Sequence, residues 1–253
     1  MNRTKWLEIL NAVARALYDG KISIGDIVPE MVRMNGIYMM QAVQDGLNKS
    51  LADESISAKD LKLLEKLQKN IFHFSGAKNF HQLREMSALL TDAGGNVVPF
   101  NEFLKAVQTV DETYNISYLE AEYNHAIATA QMIGKWNDFQ KEKKELPYLK
   151  YSAVMDDRTR PEHAALHDVI KKVDDPFWDK WFPPNGWNCR CDVVQQPPDA
   201  QETENVQVEQ QDKFFANNPG KAGVVFNSKH PYFTDLPKAY RTSVKEQSEK
   251  LID

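Results

Sequence analysis

Apolar residues recur at helical spacing through most of the first 145 positions. Over residues 4–18, Trp6, Ile9, Leu10, Val13 and Leu17 fall on one stripe, and Gly20 follows where a left-handed cap is cheap for glycine. A second helix is predicted over 57–72, opened by Ser57 with Asp60 in a capping-box-like pair and burying Leu61, Leu64, Leu67 and Ile71. A third, over about 79–91, stops before Ala93-Gly94-Gly95-Asn96, and Pro99 then suits the first turn of a helix carrying Phe100, Phe103, Leu104 and Val107. The longest helix is expected over 114–144. Leu119, Tyr123, Ala126, Ala130 and Ile133 form its stripe, Trp136 and Phe139 shift it, and the small residues among them allow close approach of a neighbouring helix.

The pattern changes at Pro147, which stops that helix. Residues 148–155 are aromatic and β-compatible, as a strand entering a second domain would be. Residues 197–212 hold few large apolar side chains and many Gln and Glu, which predicts a flexible link that contributes little core. A short strand at Val224-Val225-Phe226 and a charged helix over 238–251 are expected beyond it. The fold class is therefore α+β: a mostly helical N-terminal region with a long helix, followed by a small mixed domain. Its expected divisions are 1–146, a motif domain at 147–196, a linker at 197–212, and a segment at 213–253 that packs back on the motif domain.

Composition narrows the function classes. With 253 residues and 42% apolar content the chain can bury a sizeable core, and a formal charge of -5 gives no global attraction for polyanions. Tight, nonspecific nucleic-acid binding is not expected. There is no apolar run of about 18 residues and no signal-peptide pattern at MNRTKWLEIL, so a protein made in the cytosol, without a membrane partner, is expected. Cys189 and Cys191, separated by one residue, close no useful loop as a disulfide.

Candidate chemistry concentrates in residues 156–192, where both cysteines, His163, His167, three arginines and a set of tryptophans occur together. His163, Cys189 and Cys191 offer three ligands of types that zinc accepts, with His167 or the distant His230 as a fourth, provided the backbone is kinked around Asn188. The alternative is that the cysteines are buried packing residues and His163 a hydrogen-bonded core histidine. Arg158, Arg160 and Arg190 are surrounded by Asp156, Asp157, Glu162, Asp174, Asp175 and Asp179, which favours ion pairs over a phosphate site. Phe177, Trp178, Trp181, Phe182 and Trp187 read as a mini-core rather than a base-stacking platform. The chain holds no Gly-rich phosphate loop, no Gly-x-Ser-x-Gly elbow and no His-Glu-x-x-His helix, so no catalytic residue is assigned and an enzyme is not expected. A nuclease or toxin-like enzyme acting through His163, Arg158 and Arg160 is the alternative.

Three blocks carry a family resemblance: Asp157-Arg158-Thr159-Arg160-Pro161-Glu162-His163, then Asp174-Asp175-Pro176-Phe177-Trp178-Asp179, then Pro183-Pro184-Asn185-Gly186-Trp187-Asn188-Cys189-Arg190-Cys191. In order and spacing they resemble the Mu F-like minor head proteins of tailed phages and prophages. Residues 115–136 look like the long helix that precedes the motif in that family, and residues 218–233 look like its tail. The resemblance marks His163, Cys189 and Cys191 as a motif-borne metal set, with Asp157, Arg158, Arg160, Asn188 and Arg190 as structural motif residues. It implies a head-morphogenesis protein that associates with the portal protein and with procapsid or capsid proteins, first in the host bacterial cytoplasm and then in the virion head, near packaged DNA without binding it tightly. One position departs from the family pattern: a glycine is expected near 168, and this chain has His167-Asp168.

Overall fold

The computed structural model describes residues 2–23, 25–208 and 211–252. Helix α1 (Arg3–Tyr18) opens where the Asn2 side chain accepts from the Lys5 amide at 3.1 Å, and Gly20 follows its end at φ 69°. It buries Trp6, Leu10, Val13, Ala14 and Leu17, with Ile9 only packed against the margin of that core. Helix α2 (Pro29–Leu47) is not one that the stripes above single out. Proline stands at its first position, where the missing N–H is no loss, and Met31, Val32, Met39, Ala42 and Val43 are buried along it.

Helix α3 (Ala58–Ala88) unites the two helices expected at 57–72 and 79–91. The Ser57 hydroxyl accepts from the Asp60 amide at 3.2 Å and donates to the Asp60 carboxylate, as the capping pattern predicts, while Leu61 is 36% exposed and stands off the buried face. Gly76 falls where the two segments would have parted. Its bare Cα serves packing instead, since a Cβ there would overlap the Ser248 hydroxyl. Helix α4 (Phe100–Glu112), capped by Pro99, runs through a π-helical turn at Thr113–Tyr118 directly into α5 (Leu119–Glu142). The break expected before residue 114 is absent, and α3 with 31 residues exceeds α5 with 24.

Strand β1 (Tyr148–Ser152) is the middle of a three-stranded antiparallel sheet. After α6 (Pro161–Ala164) come β2 (Ile170–Lys172), α7 (Trp178–Trp181) and β3 (Asp192–Gln196), in the spatial order β2-β1-β3. Leu149 pairs with Lys171 on one side and Gln195 on the other. Strand alternation turns Leu149 and Tyr151 to one face, and both are fully buried. The chain continues through α8 (Pro219–Ala222), α9 (Pro231–Thr234) and α10 (Lys238–Glu249). Val224, Val225 and Phe226 form no strand. Phe226 is instead buried beside the rings of His125 and Phe214.

Two compact units result, and they cut across the expected divisions. The first comprises Met1–Gln41, Gln68–Tyr123 and Ser228–Asp253; the second comprises Ala42–Leu67 and Asn124–Asn227. Within the first, Trp6, Leu10, Met31 and Phe103 form one core, and Ile27, Val32, Phe80, Leu236 and Val244 form another. The segment 213–253 therefore does not pack on the motif domain as a whole: its last part is drawn into the first unit by Leu236 and Val244. In the second unit Trp136 and Phe139 of α5 join Leu149, Tyr151, Trp178, Trp181, Phe182 and Val193 in one core. A Cβ on Gly46 would lie 2.6 Å from the Ile127 carbonyl and 2.8 Å from the Ala130 side chain, so the small residues of α5 do admit a close neighbour. The stretch 197–212 is also more tied than a free link. Thr203 donates its N–H to the Ile170 carbonyl at 2.9 Å and accepts the Ile170 N–H on its hydroxyl, and Val206 packs on the core. Glu209 and Gln210, within that stretch, lie outside the described residues. Among the described residues no helix is long and apolar enough to cross a membrane.

Candidate functional site

His163 stands on the single turn of α6, which Pro161 starts at a fixed φ and whose geometry turns the imidazole inward, leaving it 3% exposed. Its Nδ1 lies 3.8 Å from Cys189 Sγ and 3.5 Å from Cys191 Sγ. The cysteines reach it from the segment before β3, where Asn188 takes φ 54° and the Cys189 amide donates to the Gly186 carbonyl at 3.2 Å. That left-handed residue supplies the kink that brings two thiols one residue apart to the same nitrogen. All three ligand atoms lie within 4.8 Å of one another, and among the described residues no other His, Cys, Asp or Glu joins a group of this kind.

The two thiols titrate as a pair. Hydrogen bonding from Cys191, then the contact with His163, pulls Cys189 well below the usual thiol range, while the hydrogen bond to Cys189 and burial push Cys191 up. Tyr151 closes the floor of the site: its hydroxyl donates to Asn185 Oδ1 at 2.9 Å, and burial followed by the charge of Cys191 and Cys189 raises its pKa. Tyr151 did not stand out in the sequence, and Asn185 did so only as part of the Pro183–Cys191 block. Tyr151 was findable, because alternation from Leu149 puts it inside and a buried phenol needs a partner.

The remaining candidates have other occupations. His167 Nδ1 accepts from the Ala153 amide at 3.2 Å. His230, the proposed fourth ligand, belongs to the other compact unit and caps α9, with Nδ1 accepting from the Tyr232 amide at 3.1 Å. Arg190 holds Asp156 through two hydrogen bonds of 2.7 and 2.6 Å, which keeps that carboxyl well below the usual range, and Arg158 reaches the same carboxylate at 3.7 Å. Arg160 donates to the Trp187 carbonyl at 2.8 Å rather than to an acid. Asp157 is exposed, and Asn188 accepts from Asn124 at 3.3 Å. Asp174 pairs with Lys143, and Asp179 with Lys221, so the local acids are answered by lysines as well as arginines. Trp178, Trp181 and Phe182 are buried in the core, and Trp187 packs on His125, Phe214 and Phe215. Phe177, Trp178, Trp181 and Phe182 thus share one core, as their interleaving with Asp and Pro implied, whereas Trp187 stands apart from it in a second aromatic group.

Asp168 adopts φ 62°, the left-handed turn that glycine would make most easily, and its carboxylate lies 3.2 Å from Lys150. The departure from the family pattern thus leaves the turn in place.

Against known proteins, the family described as Phage Mu protein F like protein matches residues 89–194. A putative capsid assembly protein F of Escherichia phage Mu is 49% identical over 71 residues, which is 28% of this chain and 16% of that protein. A Mu-like prophage FluMu F protein of Haemophilus influenzae is 55% identical over 49 residues, 19% of this chain and 12% of its own length. The chain thus spans less than a fifth of the length of either relative. No solved structure matches the chain. Residues 218–233, expected to resemble the family's tail, stand beyond the matched range. The matched range runs from before α4 into β3 and takes in His163, Cys189 and Cys191, so the similarity to the Mu protein F like family lies in residues 89–194.

Proposed function

We propose that the protein is a minor head-morphogenesis component of a tailed phage or Mu-like prophage, associating with portal protein and procapsid while the head is built. The observation that carries this reading is the match of residues 89–194 to the Mu protein F like family, together with near 50% identity over part of a protein named for capsid assembly. The site chemistry points the same way. Arg160 donates to the Trp187 carbonyl and His163 is buried against two thiols, so two of the three residues named for a nuclease are engaged within their own domain, while Arg158 stays largely exposed 3.7 Å from Asp156. A net charge of -5 lets such a protein share a head with DNA without adhering to it.

The test is co-expression of tagged full-length chain with the portal and capsid proteins of its own phage. Recovery of portal or procapsids on the tagged chain is the expected result. Absence of both, with the tagged chain soluble and folded, would overturn the reading, and plasmid cleavage lost in His163→Ala would replace it with the enzyme.

A further inference from the structure

We propose that His163 Nδ1, Cys189 Sγ and Cys191 Sγ hold one zinc ion, whose fourth vertex opens to solvent through the cleft beside the Cys189–Cys191 segment.

Distance decides first. Zinc bonds of about 2.0–2.1 Å to nitrogen and 2.3 Å to sulfur, set at tetrahedral angles, place N and S about 3.6 Å apart. The two N···S distances are 3.8 and 3.5 Å, and the ligand atoms all lie within 4.8 Å of one another, so three corners of a tetrahedron are already laid out. Hydrogen bonding alone serves the arrangement poorly. An imidazole Nδ1 has one in-plane position, either a proton or a lone pair, yet two sulfurs converge on it. A cation at the centre of the triangle satisfies all three atoms at once. The surroundings fix the geometry: Pro161 sets the turn under His163, Asn188 kinks the cysteine segment, and Tyr151 with Asn185 closes the buried side.

The fourth corner follows from what is absent and what is open. His167 and His230 have their Nδ1 atoms committed to backbone amides, and no fourth His, Cys, Asp or Glu joins the group among the described residues. Cys189 and Cys191 line a cavity of about 520 Å³ together with Lys135, Gln131, Pro183 and Pro184. Water from that cavity completes the ion's coordination. On binding, each thiol that still carries a proton releases it to solvent as its sulfur–zinc bond forms. One ion then ties α6 to the start of β3, clamping the sheet's last strand to the helix turn that precedes β2.

Full-length protein purified without chelators should carry about one zinc per chain. After removal of the metal, added cobalt(II) should bind with a thiolate-to-metal charge-transfer band and the intense visible bands of a tetrahedral site. The Cys189→Ser/Cys191→Ser double variant should lose the charge-transfer band entirely, whereas His163→Ala should keep it with altered visible bands. Because those variants could unfold, the unsubstituted protein decides. If it binds neither metal, or binds cobalt with no charge-transfer band, the site is overturned. Azide added to the cobalt form should shift the visible bands through the open vertex, and no shift would overturn the water-filled fourth position. These outcomes are independent of whether the protein associates with portal or procapsid.

Discussion

Lys78 Nζ lies 2.6 Å from Glu122 Oε2, with the two side chains 1% and 4% exposed. Burial pulls the lysine pKa down and pushes the carboxyl up, each partly offset by the partner, and Tyr232 adds a hydrogen bond to Glu122. Breaking such a pair leaves one charge stranded, which costs about 3–5 kcal/mol. Lys78→Met and Glu122→Gln should each lower stability by roughly that amount in urea titrations, and Lys78→Met/Glu122→Leu should lower it by less than either single change. Additive losses in the double variant would contradict the coupling.

His125 gives a pH signature. Burial holds its pKa down at about 4, among the rings of Trp187, Phe214, Phe215 and Phe226. The unfolded chain binds this proton near pH 6.5 and the folded chain only near 4, so stability is complete above 6.5 and declines as pH falls through that window. The ceiling on the loss is about 3 kcal/mol. His125→Phe should flatten the decline between pH 6.5 and 4, though His73, also lowered to about 4, keeps a residual slope. An unchanged profile in the variant would show that His125 is not buried neutral.

Two helical glycines should respond oppositely to alanine. At Gly46 the new Cβ would meet the Ile127 carbonyl at 2.6 Å, and backbone cannot yield as a side-chain tip does. Gly46→Ala should therefore destabilise by about 1–3 kcal/mol. At Gly134 the nearest neighbour is Leu47 Cδ2 at 3.9 Å, ordinary contact. Gly134→Ala should stabilise by about 0.5–1 kcal/mol, since glycine inside a helix is entropically unfavourable. Thermal denaturation of the pair checks both signs.

Asp168 at φ 62° should tolerate glycine and resist β-branching. Asp168→Gly is expected to be neutral or slightly stabilising, and Asp168→Val to cost about 1–2 kcal/mol. Equal stability of the two variants would mean that the turn at 168 relaxes freely.

How far the sequence anticipated all this depended on whether neighbours in space were neighbours in sequence. The stripe of α1 and the Ser57 cap were legible because both are local. The continuity of α3 was not: Gly76, between the two expected helices, is required by the close approach of Ser248, 172 positions further along the sequence. β2 was missed because Ile170-Lys171-Lys172 alternates too briefly to register against its charged residues. At the site, His163, Cys189 and Cys191 were identified by their density in one segment, but the use of Nδ1 depends on a one-turn helix and on the left-handed Asn188. His125 drew no notice for a similar reason: its aromatic surroundings come from residues 187–226.

The most direct measurement is gradient sedimentation of particles from an induced lysate, followed by detection of the chain in each fraction. The account predicts that it travels with procapsids and remains with filled heads, at a fixed ratio to portal protein. Confinement of the intact, folded chain to the soluble fractions at the top of the gradient, while portal sediments with the heads, would contradict a role in head assembly.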